Sequence, residues 1–388
     1  MALAKTKQLE TVLVNWIYDL VENSGVGPII IKRKMIMKRH GDIYDKICDI
    51  DNIRKAHKHA SKGKKHYKEV KFVNENPEYY FHQIMEMLAD KTYEVSEYSV
   101  ETVNDNGKER ELYKLPYYPD RIIQWAVMLQ TEPIFVKSLT NFTCSSIKGR
   151  GGSKSEKLIE KYIRKKENVF CLKLDIKKYY PSIDHKILKS LLRRKFKDKD
   201  LLWLFNRIID SYPNGKGIPI GSYTSQHFAN FYLCKFDHWL KEVKGVKYCV
   251  RYMDDIVIVH KSKEFLHDLL KDIEIYLRKN LKLKVKKNWQ VFPIDIRGID
   301  FVGYRFFKDF KLLRKSICKR YKKRMNEVSR MVSSNSLTEH AYRSTQSYKG
   351  WVQNCDSYRL LEKYHNPNIE ALEDFMNNKR RGEINESC

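Results

Sequence analysis

Three aspartates carry the chemistry that this sequence offers. Asp175 closes an apolar run at residues 169–174. About 80 residues later, Tyr252-Met253-Asp254-Asp255 stands between Tyr248-Cys249-Val250 and Ile256-Val257-Ile258-Val259, runs that read as β-strands. Only a turn fits between them, so two adjacent carboxylates crown a hairpin. Such a pair is unfavourable in an apolar sheet unless a divalent cation neutralises it. With Asp175 the set is the one needed to hold two Mg²⁺ ions, or Mn²⁺ in their place, across a phosphoryl-transfer centre. Successive strand residues face opposite ways, so Asp254 and Asp255 are not expected to ligate equally, and Asp254 is the expected direct ligand.

The elements that must position these acids are legible around them. Asp184 is a candidate N-cap for a helix whose Ile187, Leu188, Leu191, Leu192 and Phe196 mark one apolar face. After the turn at Asn214-Gly215-Lys216-Gly217, Gly221 opens a long helix whose Phe228, Phe231, Tyr232 and Trp239 are expected to pack under the sheet. A helix at 266–281, a strand at 299–304 and a basic helical region to about 365 follow. Residues 371–388 are polar and read as a flexible tail. Upstream, residues 38–165 are mixed and basic, with a Lys-rich stretch at 58–71, a helix-like 79–88 and a strand–turn–strand pattern around Asn104-Asp105-Asn106-Gly107. The first 35 residues form an amphipathic segment ending at the linker Gly25-Val26-Gly27-Pro28.

Composition narrows the partner. The 388 residues are 42 % apolar, enough for two or three packed subdomains, and 75 Lys and Arg against 48 Asp and Glu leave a formal net charge of +27. Such an excess favours a polyanion, with nucleic acid leading. No apolar run approaches the roughly 20 residues that span a bilayer. The stretch at 9–21 is too short for a signal peptide and carries Asn15 and Asp19, so no membrane role and a cytoplasmic location are expected. Eight cysteines without ligand spacing indicate neither a zinc site nor a disulfide framework.

Several cations are phosphate-binding candidates. Lys108 and Arg110 follow the Asn106-Gly107 turn, Arg121 sits in Pro119-Asp120-Arg121-Ile122-Ile123, and Lys148 and Arg150 lie on a glycine-rich loop at 145–153. Lys286 or Lys287 is a candidate general acid toward leaving pyrophosphate. Between Arg305 and Arg330 eleven basic residues, among them Arg314, Lys315, Lys319 and Arg320, face only Asp309 and Glu327, a composition suited to tracking a nucleic-acid backbone.

Four blocks give a resemblance. Residues 175–180 (DIKKYY), 218–226 (IPIGSYTSQ), 252–255 (YMDD) and 301–304 (FVGY) occur in the order and rough spacing seen in reverse transcriptases, over about residues 38–360. The resemblance implies an α/β (α+β) right-hand polymerase. It would have an N-terminal extension (1–35), fingers (36–168, with 185–215 returning to them), a palm of antiparallel sheet backed by helices (169–300), a helical thumb (301–370) and the tail (371–388). It also implies RNA-directed DNA synthesis from dNTPs, with Asp175, Asp254 and Asp255 as the metal-binding triad and Tyr180 as the residue that excludes a ribose 2′-hydroxyl. Ile176, Ile220, Gly221 and Gln226 become nucleotide contacts, and Tyr252, Met253, Phe301, Gly303 and Tyr304 primer–template contacts.

The third block departs from the common Gln-Gly-x-x-x-Ser-Pro pattern by reading Ile220-Gly221-Ser222-Tyr223-Thr224-Ser225-Gln226. Losing the amide leaves an apolar contact that discriminates base pairs less well. With residues 298–305 (GIDFVGYR) and 312–315 (LLRK), this form resembles the reverse transcriptases of bacterial and phage diversity-generating retroelements. Those enzymes copy a structured template-repeat RNA into cDNA with errors opposite adenine, beside a small basic accessory protein. The alternative is a defence-associated reverse transcriptase copying a noncoding RNA.

Overall fold

A computed structural model describes residues 39–105 and 108–380, without the side chains of Asp105, Lys108, Asn214, Lys379 and Arg380. The segment expected at 1–35, the Asn106-Gly107 turn and the Lys108 side chain lie outside the described residues.

Helices α1 (Ile50–Ala60), α2 (Lys68–Glu75) and α3 (Pro77–Ala89) precede an antiparallel hairpin of β1 (Ser99–Asp105) and β2 (Lys108–Lys114), then α4 (Ile122–Ser138). Asp49 starts α1 by accepting from the backbone N–H groups of Asp51 and Asn52. Ile53 and Ala56 of α1, Val70 and Val73 of α2, and Ile84 and Leu88 of α3 are buried with Ile122, Ala126 and Val127 of α4.

After α5 (Gly152–Ile163) comes β3 (Phe170–Asp175), followed by α6 (His185–Lys195), α7 (Lys199–Asp210), α8 (Tyr223–Tyr232), β4 (Cys249–Tyr252), β5 (Asp255–His260), α9 (Lys263–Leu281) and β6 (Gln290–Pro293). Asp184 caps α6 through Ile187 N–H at 3.0 Å. The strands form an antiparallel sheet ordered β4-β5-β3-β6. Alternation gives it two faces. Leu172, Leu174, Ile256 and Ile258 join a core with Phe228, Phe231 and Tyr232 of α8, as the aromatic spacing predicts. Cys171, Val250, Val257 and Val259 join a second core with the chain that follows β6.

That chain departs from the single strand expected at 299–304. It forms β7 (Ile299–Phe301), a two-residue turn at Val302 and Gly303, β8 (Tyr304–Phe306) and β9 (Lys311–Leu313), an antiparallel three-stranded sheet. Val302 and Gly303 both take positive φ (38° and 93°), the geometry that reverses a strand in two residues. Helices α10 (Lys315–Ser333), α11 (Glu339–Val352) and α12 (Ile369–Arg380) follow. The tail expected from residue 371 is therefore helical to Arg380, and Leu372 is buried. The protein is a mixed helix-and-sheet fold with antiparallel sheets. Among the described residues no helix is long and apolar enough to cross a membrane, and the cysteines are free.

Candidate active site

Strand register brings the acids together. Asp175 at the end of β3 pairs directly with Asp255 at the start of β5, and Asp255 pairs with Tyr252, so all three side chains share one sheet face. Asp254 lies in the hairpin turn, and its carbonyl accepts from Ile176 N–H at 3.2 Å. Burial first, and then the Asp175 carboxyl beside it, holds the Asp254 carboxyl well above the usual carboxylate range. Burial also pushes Asp255 up to about 6, against the pull of Lys173.

Two lysines stand on this pair. Lys286 Nζ donates to Asp175 Oδ2 at 2.6 Å, and Lys173 Nζ lies 3.5 Å from Asp255 Oδ2. Backbone pairing places Lys286, because its N–H donates to Asp175 O and Lys177 N–H donates to Lys284 O, extending β3 alongside residues 284–286. Of the two candidate lysines, Lys286 is the one at the acids; Lys287 is exposed. Lys173 was not anticipated, although its position two residues before Asp175 fixes it to the same face.

The residues fit a divalent cation. Oδ1 of Asp175 and Oδ1 of Asp255 are both buried without a hydrogen-bond partner, and the set of donors is all oxygen, as Mg²⁺ prefers. Among the described residues, however, no three acidic, His or Cys side chains already stand in a joint cation-binding arrangement. Asp175 and Asp255 each turn one oxygen to a lysine.

A buried network supports the turn. Met253 is 8 % exposed and takes φ 57°, a left-handed conformation that a bulky residue adopts only when its surroundings impose it. Its carbonyl accepts from Arg251 Nη1 at 2.9 Å. Arg251 is fully buried on the opposite sheet face, where Nε and Nη2 donate to Asp237 at 2.6–3.0 Å, and Asn230 accepts further bonds. Thr143 Oγ1 also donates to Asp237, at 2.8 Å. Backbone bonds between residues 142–144 and Arg251 cover the free edge of β4. Arginine ahead of Tyr252-Met253 reads as a surface charge in sequence, so this network had no signal there.

Other candidates separate into two cavities. One, of about 800 Å³, is lined by Arg121, Gln124, Gly221 and Ser222 with Lys64, Tyr67, Lys68 and Tyr113. Gly221 has φ 109°, and an added Cβ would lie 3.3 Å from Tyr113 O. Arg121 Nη1 donates to Gly221 O, and Tyr113 N–H donates to Ile220 O, tying the third block to β2. The second cavity, of about 810 Å³, is lined by Tyr252 and Asp255 with Val302, Gly303, Tyr304, Arg314 and Arg320, and by Gly152 and Ser153.

The geometry distributes the remaining candidates. The glycine-rich loop borders the second cavity through Gly152 and Ser153; Arg150 is turned to Thr140 O at 2.9 Å, and Lys148 is exposed and lines neither cavity. Ile176 and Phe301 are fully buried, so their side chains are core. Gln226 and Arg110 line neither cavity, and Lys315 and Lys319 are exposed on α10 outside the second. The basic run at 305–330 is less free than its composition implies: Lys308 pairs with Asp295, Lys311 with Glu156 and Glu160, Arg314 with Asp300, and Arg324 with Glu327. Tyr180 is at the acids, its hydroxyl donating to Met253 Sδ at 3.7 Å, and burial with the nearby Asp254 charge raises the phenol so that it stays protonated.

Residues 102–306 match the family model described as reverse transcriptase (RNA-dependent DNA polymerase). The chain belongs to the reverse transcriptase family. Relatives are distant. Nuclear intron maturase 4, mitochondrial, of Arabidopsis thaliana is 23 % identical over 55 % of this chain and 33 % of its own length. Protein YkfC of Escherichia coli K12 is 23 % identical over 52 % of this chain and 64 % of its own. A solved telomerase from Candida albicans, in complex with a TWJ fragment of telomeric RNA, aligns with TM-score 0.44 and 12 % identity over 70 % of this chain and 58 % of that one. The chain thus spans less than two thirds of each. The β4-β5-β3-β6 sheet is backed by α8 and α9, and the acids stand at its tip.

Proposed function

We propose that this protein is an RNA-directed DNA polymerase of the diversity-generating type, with Asp175, Asp254 and Asp255 holding two Mg²⁺ ions. The observation that carries the reading is the Asp175–Asp255 register, which leaves two buried carboxylate oxygens unsatisfied beside Asp254. When bound, the ions supply the positive charge that acidifies a primer 3′-hydroxyl and holds the triphosphate. Asp254, deprotonated, would be the direct ligand, with Asp175 and Asp255 as the other acids that would hold the ions. Lys286, already hydrogen-bonded to Asp175, is placed to give a proton to leaving pyrophosphate. Arg121, beside Gly221, neutralises phosphate charge on the nucleotide side. Tyr252, Gly303, Tyr304 and Arg314 line the groove for the primer strand.

The diversity-generating reading rests on Ile220, whose side chain offers the templating pair no hydrogen bond. The partners proposed are the template-repeat RNA, the cDNA strand, dNTPs and a small basic accessory protein. The test is to supply purified protein with Mg²⁺, dNTPs and RNA from its own locus, and to sequence the product. Expected is cDNA with errors concentrated opposite adenine. No cDNA would sink the polymerase reading, and an even error spectrum would sink the subtype.

Two side chains extend this assay. Ile220→Gln is expected to lower misincorporation opposite adenine several-fold by restoring an amide near the pair, read from the same sequencing. Tyr180→Ala is expected to admit ribonucleotides at least about tenfold better relative to deoxynucleotides, because a phenol wedged beside Met253 no longer fills the space of a 2′-hydroxyl. A gel comparison of the two substrate sets checks it.

A further inference from the structure

We infer that the outer face of α2 and α3 is a stacking surface for an unpaired stretch of RNA. Tyr67, Phe72 and Tyr79 are each more than half exposed, at 52 %, 53 % and 53 %. Two of these rings form a chain with the partly buried Tyr80 and Tyr118: Phe72 and Tyr79 lie 5.1 and 5.3 Å from Tyr80, which lies 5.0 Å from Tyr118. His66 packs edge-on against Tyr67 at 4.6 Å. Scattered apolar side chains on a surface call for no explanation, but a run of aromatic rings in mutual contact does.

The charge around the rings identifies the occupant. Residues 54–71 carry eight Lys and Arg against one acid, Glu69, whose carboxylate is engaged by Tyr117 N–H at 2.6 Å. Glu78 is engaged by Arg54. Lys65, Lys68 and Lys71 are exposed, and among the described residues none of the three forms an ion pair. An apolar protein partner would strip water from these ammonium groups without compensation, whereas a polynucleotide offers phosphates to the lysines and base faces to the rings. A duplex hides its base faces, so only an unpaired strand gains from the aromatic chain. The Tyr67 end of α2 opens on the cavity of Arg121 and Gly221, because Lys64, Tyr67 and Lys68 line that cavity too. A single strand leaving the nucleotide side would therefore meet Tyr67 first and Phe72 and Tyr79 beyond it.

The inference rests on the RNA-directed reading above, and the two fail separately. Binding of a labelled oligouridylate of about 12 nucleotides, a length within the usual site size, is followed by fluorescence anisotropy beside a blunt RNA duplex of equal length. The Phe72→Ala/Tyr79→Ala protein is expected to bind the single strand about tenfold more weakly or worse, with duplex affinity unchanged within about twofold, and Phe72→Trp to retain wild-type affinity. Unchanged single-strand affinity, or equal loss for the duplex, overturns the proposal. So does a concentration-dependent dimer that the double variant abolishes, which would make the rings a self-association face. Wild-type protein that binds RNA but extends no primer would sink the polymerase reading and leave the binding result standing.

Discussion

Asp254→Asn is expected to lower primer extension by at least about 10³-fold while RNA affinity stays within about twofold of wild type. Asparagine keeps the shape of the turn but cannot give up a proton to become an anionic ligand. The Asp254 carboxyl is buried beside Asp175, so removing its charge relieves repulsion, and the variant should melt no lower than wild type. pH provides a second measurement. Asp254 titrates well above the usual range and Asp255 near 6, so cation binding must displace protons that the free site still holds on the acid side of neutrality. The Mg²⁺ concentration at half-maximal extension should therefore rise as pH falls from 8 to 6. In the absence of Mg²⁺ the sign for stability is the reverse. Unfolded aspartates lose their protons near pH 3.9 while the folded site retains them, so the unfolded chain binds fewer protons and stability falls as pH rises from about 4 to 7. Asp254→Asn should flatten that slope. Extension above about a tenth of wild type would remove Asp254 from the ligand set.

The acids were legible because their chemistry is written locally. An apolar run ending in Asp175 and two strand-like runs flanking Asp254-Asp255 leave few other arrangements, and the Asp184 cap and the aromatic face of α8 follow from equally local rules. What lay outside the sequence reading depends on pairing between distant segments. The positions of Arg121 against Gly221, 100 residues away, and of Lys286 on Asp175, 111 residues away, are set by strand and loop contacts that no spacing rule encodes. Motif matching also says nothing of direction: Phe301 and Ile176 stand in the right blocks yet face the core, because β7 and the end of β3 turn those side chains inward. The basic run after Arg305 is partly neutralised by acids from other segments. Counting charges within one segment cannot see Asp295, Glu156, Glu160 and Asp300 arriving from elsewhere to pair with Lys308, Lys311 and Arg314.

The largest loss of stability is expected from Asp237→Asn, which leaves Arg251 charged and fully buried without its carboxylate. Both groups have no exposed side-chain surface, and breaking such a pair costs about 3–5 kcal/mol, readable by denaturant titration. Burial by itself would lower the Arg251 guanidinium and Asp237 outweighs it in the wild type; without Asp237 the group still cannot escape by deprotonating, because a guanidinium keeps its proton in proteins. The Arg251→Met/Asp237→Leu protein separates stability from function. Apolar replacement of a buried ion pair is often neutral or stabilising, so most of the lost stability should return. Activity should not, because Met253 O then loses its donor and the left-handed turn that aims Asp254 loses its support. The expected pattern is a kcat reduced at least about tenfold with RNA affinity preserved, and a raised Mg²⁺ requirement, since a cation must then order a looser turn. A double variant that recovers both wild-type stability and wild-type kcat would show that the ion pair only fills space beneath the sheet, and that the acidic turn holds its geometry without it.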